Sequence, residues 1–335
     1  MKNIQKELFS FWVSSFLTVE IPVNRNLSFN TQKSYRDAFL IFIRFVEIKY
    51  KVNPAEFKIM DFNIDVVLNY MKYIGDELHS SPSTCNQRLA AMKSFAKYVS
   101  RSYPDFLTNG SSILYLQNKK TITPVVDYFT KEEMEKILSL PDQSTRIGLR
   151  DYLLLLLMYN TGARVSEVCN MRIGDIVVGE QGYVTLNGKG NKLRTTPLWK
   201  KTLDVIEQYI KYNNLESHDH LFYGIRHNAL TRFGIYEIVE KYIAAASQII
   251  PGLQTKKLSP HSIRHTTAVQ LLLAGVDINT IRAWLGHSHI ETTNIYATIT
   301  LEIKQKAIDM CSTKDNSSKP LWKRGNDIVA FLKNI

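Results

Sequence analysis

Along residues 1–116, apolar side chains recur every three to four positions, the spacing that builds one buried face of a helix. Residues 31–50 put Tyr35, Phe39, Phe42, Ile43 and Val46 on such a face, with Lys33, Arg36 and Arg44 elsewhere. The pattern returns over 63–78 with Val66, Val67, Tyr70 and Ile74, and from Ser83 to about Arg101 with Leu89, Met92, Phe95 and Val99. Residues 80–83 contain Pro82 and are read as a break between these last two helices. Residues 8–19 are apolar, but Glu7 precedes them, Trp12, Ser14 and Ser15 interrupt them, and no small-residue cleavage site follows. They read as a first amphipathic helix rather than a signal peptide. The aromatic stripes are assigned to the core rather than to base stacking.

The periodicity stops over residues 117–127, where Pro124 appears, and Thr130 followed by Glu133 forms a capping-box signature that restarts it. Residues 146–160 read as a buried helix and 165–171 as a short one. Two strand-like runs, 183–186 and 193–197, then flank Asn187-Gly188-Lys189-Gly190-Asn191, a strong turn signal. Helical spacing resumes over 199–212, 235–249, 261–274, 278–285 and 301–309. A polar stretch, 312–319, precedes Leu321, Trp322, Ile328, Val329, Phe331 and Leu332, which could form one more short helix. The expectation is a mainly α chain with a small β-ribbon (α+β). Its parts are an N-terminal helical domain (1–116), a linker (117–129), a second domain (130–312) and a tail (313–335).

Charge adds a partner to this picture. The 335 residues carry a net charge of +11, which favours a polyanion such as nucleic acid. The excess is spread along the chain, with 14 basic against 10 acidic residues in 1–116 and 21 against 18 in 131–312. If DNA is the partner, both halves should touch it. Cys85, Cys169 and Cys311 are odd in number and far apart, which argues against a disulfide framework and for a reducing, cytoplasmic compartment. The longest apolar run, 152–159, falls well short of the ~18 residues needed to span a membrane.

Four clusters in the second half carry candidate chemistry. In Thr161-Gly162-Ala163-Arg164-Val165-Ser166-Glu167, Arg164 sits at a helix junction where its planar fork could hold a phosphate. Taken alone, it would be an ordinary ion pair with Glu167. Lys189, between two glycines, could project from the ribbon tip into a groove, although in isolation it is a solvated hairpin turn. Pro260-His261-Ser262-Ile263-Arg264-His265 opens a helix, with His261 and Arg264 on one face of the first turn. Leu285-Gly286-His287-Ser288-His289 is followed nine residues after His287 by Tyr296. Four histidines within 29 residues, two of them at i, i+4, raise the question of zinc. No acidic residue lies between His261 and His265, Arg264 is a poor neighbour for a dication, and no cysteine is near. No metal is expected.

Taken together, these clusters resemble the tyrosine recombinase family, the λ-integrase-like enzymes that include the Xer recombinases. The resemblance covers about residues 5–311. It places the family's catalytic positions on Arg164, Lys189, His261, Arg264, His287 and the nucleophile Tyr296, with Glu167 at a supporting acidic position. It departs at Ala297, where many relatives carry a polar residue, and in the segment beyond 312. The resemblance implies a helical, SAM-like DNA-binding domain joined to a DNA-breaking-rejoining catalytic domain. It also implies a clamp on duplex DNA by a homotetramer, or by a tetramer shared with a paralogous recombinase, in integration, transposition or replicon resolution. The chemistry is coherent: a tyrosine of ordinary pKa near 10 needs a cationic pocket to act as a nucleophile. Arg164 and Arg264 would stabilise charge on the phosphate in place of a metal. The resemblance makes Lys189 the acid for the leaving 5′-oxygen; His261 is the better candidate to accept the tyrosine proton, and His287 to hydrogen-bond the phosphate. No cofactor is implied. The alternative is type IB topoisomerase-like relaxation of DNA. The tail around Trp322 and Phe331 is expected to pack on a neighbouring protomer.

Overall fold

The computed structural model describes residues 6–121, 127–188, 190 and 192–286. The chain divides into two compact units, Met1–Thr123 and Pro124–Ile335.

In the first unit, α1 (Phe9–Ser15) runs on into a wider π-helical stretch, Phe16–Asn24. Pro22 within it has no N–H to return to the preceding turn, and Arg25 N–H reaches back five residues to the Glu20 carbonyl at 2.9 Å. Helices α2 (Phe29–Tyr50), α3 (Ile64–Asp76), α4 (Pro82–Ser102) and α5 (Leu107–Leu114) follow. Ser28, Asn63 and Ser81 cap α2, α3 and α4 by accepting from the N–H groups of Thr31, Val66 and Thr84. The anticipated break between α3 and α4 is present, and Pro82 stands at its end as the first residue of α4. At the first helical position its missing N–H costs nothing and its fixed φ is already helical. The aromatic stripes meet in one core, in which Phe9 lies within 6.2 Å of the rings of Phe39, Phe42, Phe57, Phe62 and Phe95. Phe39, Phe42 and Val46 are fully buried, while Tyr35 and Ile43 lie at its margin.

In the second unit, α6 (Lys131–Ser139) begins with the anticipated capping box between Thr130 and Glu133. Helix α7 (Arg146–Thr161) is the central rod, with Leu153–Leu157 buried on every side; α9 (Lys200–Asn213) and α11 (Pro260–Leu273) pack against it. After the short α8 (Val165–Asn170) comes an antiparallel sheet in the order β1 (Ile176–Val177), β2 (Tyr183–Asn187), β3 (Leu193–Pro197). Helix α10 (Arg232–Ser247) precedes α11, and α12 (Ile278–Leu285) packs against both α11 and β3. The anticipated helix over 301–309 and the tail lie outside the described residues. The strand β1 and the helix α5 were not anticipated from the pattern.

Candidate active site

Gly162 ends α7 in the left-handed region, at φ 62°, which favours a residue without a Cβ. A Cβ there would lie 2.5 Å from Leu285 Cδ2, so the end of α12 packs against this turn. The chain leaves it extended at Arg164 and re-enters a helix at Val165, which makes Arg164 the N-cap of α8. Glu167, one turn into that helix, accepts the Arg164 backbone N–H at 2.8 Å and its Nη1 at 2.9 Å. Arg164 Nη2 donates to the Gly286 carbonyl at 3.1 Å.

Arg264, on the second turn of α11, is 2% exposed. A guanidinium in that position needs acceptors, since burial without them costs several kcal/mol, of order ~3 or more. Its Nη1 donates to the Gly162 carbonyl at 2.6 Å and its Nη2 to the Leu285 carbonyl at 2.5 Å. His261 lies on the first turn of α11, with part of its surface open although its ring packs against His265. Sequence spacing put it on the face of Arg264, but the two differ in exposure, one partly open and the other enclosed. The buried His265 ring stands perpendicular to that of His261, 4.6 Å between centroids. Loss of water, then repulsion by Arg264 and Arg164, lowers the pKa of His261. Burial pushes that of His265 down to about 4, with the His261 and Arg264 charges adding to it. Both rings are therefore neutral near pH 7.

A residue that the sequence reading passed over completes the arrangement. Arg194, on β3, donates Nη1 and Nη2 to the two Glu167 carboxylate oxygens at 2.8 and 2.7 Å, and Nε to the Trp284 carbonyl at 2.9 Å. Burial works against ionisation of Glu167, yet the Arg194 bonds, the Arg164 N–H, the Arg194 charge and the Arg164 side chain outweigh it. They hold the carboxyl below the usual range. The signal for Arg194 lay in the strand alternation. It pairs with Leu186, whose side chain is buried, so a charged residue had to sit on the inward face of the ribbon.

The structure thus brings together Arg164, Glu167 and Arg264 and places His261 where both arginine charges act on it. Lys189, His287 and Tyr296 lie outside the described residues. Among the described residues, no cluster of three or more His, Cys, Asp or Glu could hold a metal, and no helix is long and apolar enough to cross a membrane.

Residues 127–302 match the phage integrase family. A putative integrase/recombinase, y4rC, of Sinorhizobium fredii is 30% identical over 323 residues, which cover 96% of this chain and 97% of that protein. The chain belongs to the phage integrase family, the tyrosine recombinases. Enzymes of this family cleave and rejoin DNA, and this chain is one of them. Tyrosine recombinase XerD of Listeria monocytogenes is 30% identical over 289 residues, 83% of this chain and 91% of that one. The fold matches the integrase of transposon Tn1549 in complex with transposon right-end DNA (TM-score 0.65, 17% identity, 90% of this chain and 99% of that one). It also matches the XerH site-specific recombinase bound to its difH substrate (TM-score 0.64, 23% identity, 81% and 77%). These relatives are named as integrases and recombinases, so relaxation by a type IB topoisomerase-like enzyme is not favoured.

Proposed function

We propose that this recombinase cuts and rejoins duplex DNA at specific sites through a 3′-phosphotyrosine intermediate on Tyr296, moving or resolving a mobile element or replicon. The observation that carries this reading is the convergence of Arg164 and Arg264 on the junction of α7, α8 and the end of α12. Arg264 is enclosed and held in place, while the Arg164 side chain keeps 32% of its surface open to an incoming phosphate. In the proposed mechanism Arg164 binds the non-bridging oxygens through its open edge, Arg264 adds fixed positive charge behind it, and together they offset charge that grows as Tyr296 attacks. His261, neutral near pH 7, accepts the phenolic proton, His287 hydrogen-bonds the phosphate, and Lys189 protonates the departing 5′-oxygen. The phosphotyrosine conserves the bond energy, so rejoining needs no ATP. Attack by a 5′-hydroxyl of a second duplex exchanges strands.

In this reading residues 1–116 bind core DNA, residues 130–312 carry the chemistry, and four protomers act together on two sites in the cytoplasm. The spread of positive charge over both halves supports DNA contact by each. The free thiols of Cys85 and Cys169 are compatible with a reducing compartment. The Tn1549 integrase and the difH-bound XerH, which share the fold, support the choice of a mobile element or replicon site.

The test uses a pool of nicked duplexes with a randomised central segment, from which covalent adducts are recovered under denaturing conditions. Wild type should form adducts that enrich one sequence, and Tyr296→Phe should form none. Adducts that persist in the Phe variant would overturn the nucleophile assignment.

A further inference from the structure

We infer that Arg194 is a positioning residue for DNA cleavage: its buried pair with Glu167 joins Arg164, the backbone before Lys189 and the backbone before His287 into one unit. This rests on the reading of Arg164 as a phosphate-binding group.

Three contacts define the joint. The first is Glu167, whose two carboxylate oxygens are engaged by the parallel Nη1 and Nη2 bonds of Arg194 while also accepting the backbone N–H and Nη1 of Arg164. A two-bond fork fixes direction as well as distance. The plane of the Glu167 carboxylate, and with it the direction of Arg164, is therefore set from β3. The second is the ribbon. Gly188, directly before Lys189, lies beside the pair, so that a Cβ on it would be in ordinary contact with Glu167 Oε1 at 3.4 Å and Arg194 Nη1 at 3.6 Å. The third is the end of α12. Arg194 Nε holds the Trp284 carbonyl, and a Cβ at Gly286, directly before His287, would lie 3.2 Å from Arg194 Cδ.

Simple salt-bridge stabilisation does not account for this arrangement. A buried ion pair contributes little net stability compared with apolar side chains of the same size. Here two arginines share one carboxylate, which leaves an excess of positive charge at the junction. That excess is partly balanced by α12: the carbonyls of Trp284, Leu285 and Gly286, at the negative end of its dipole, receive Arg194, Arg264 and Arg164 in turn. A lysine could supply charge to Glu167 but not three bonds in a fixed plane.

The full-length protein and a nicked duplex recovered from the randomised pool test this. Arg194→Gln should slow single-turnover cleavage by about 100-fold, the scale of a misplacement near 1 Å. Half-saturation of DNA binding should stay within about threefold, since the phosphate-neutralising charges elsewhere remain. Arg194→Lys, which keeps the charge and serves if the Gln variant does not fold, should still be at least about tenfold slow. The double variant Glu167→Gln/Arg194→Gln should be no slower than the slower single one, because both act by one route. A wild-type rate constant with reduced burst amplitude in both Arg194 variants would mean a stability role only and overturn the inference. So would multiplicative losses in the double variant. If instead Tyr296→Phe still forms adduct, the reading of the site fails, independently of Arg194.

Discussion

Arg164 and Arg264 are the same residue type in opposite surroundings, and the difference assigns their work. Arg264 is closed off and bonded to carbonyls on two other elements, so it contributes fixed charge. Arg164 retains an open edge. Behind them His265 carries a cost that pH exposes. It stays neutral in the folded protein down to about pH 4, whereas an unfolded histidine titrates near 6.5. Between those values only the unfolded chain takes up the proton, so stability falls as pH drops through that window and is complete above it. The loss should be about 3 kcal/mol. Urea unfolding at pH 7 and pH 4.5 should show it in the wild type, and His265→Phe should flatten it. An equal slope in the variant would mean that another group is responsible. Glu167 adds a separate loss further into acid, because its lowered pKa confers stability that vanishes only as the carboxyl is protonated.

At the scale of elements, most of the helical framework was legible because period and caps agree. Val66, Val67, Tyr70 and Ile74 all proved buried, as did Leu89, Met92, Phe95 and Val99. Where the pattern failed, the reason is local. The break before α4 was anticipated, but the helix starts at Pro82 rather than after Ser83, because Ser81 supplies the cap that makes the proline a starting residue. Strand β1 spans two residues, too short to show alternation. Arg194 was missed because its partner Glu167 lies 27 positions away and only the strand register joins them. Arg164 and Arg264 were legible as candidates, but the helix end that gathers them was not. One element boundary bears directly on this: Gly162 turns α7 into α8 and gives its carbonyl to Arg264. Gly162→Ala should destabilise the fold by at least about 2 kcal/mol, from the left-handed backbone and the clash with Leu285. It should also slow cleavage in the protein that remains folded. A urea midpoint unchanged from wild type would show that α12 does not press on this turn.

For the whole molecule, the relevant quantity is charge. On the proposed reading, in which both units contact DNA, a net +11 spread over them predicts many phosphate contacts rather than a single basic arm. Binding should therefore be governed by counterion release. With six or more phosphates neutralised, the log–log slope of affinity against salt should be about −5 or steeper, or about 10³-fold between 50 and 200 mM. Filter binding or anisotropy over that range measures it, and a slope near −2 would confine the electrostatic contact to the candidate site.

The end of α12 has a mechanical side as well. Its last three carbonyls are each held by a different guanidinium, and the three arginines belong to three separate elements. A helix end is ordinarily the first part to fray, because its last carbonyls lack partners within the helix. Here all three are taken, so the chain arrives at Gly286 with that end fastened to other elements.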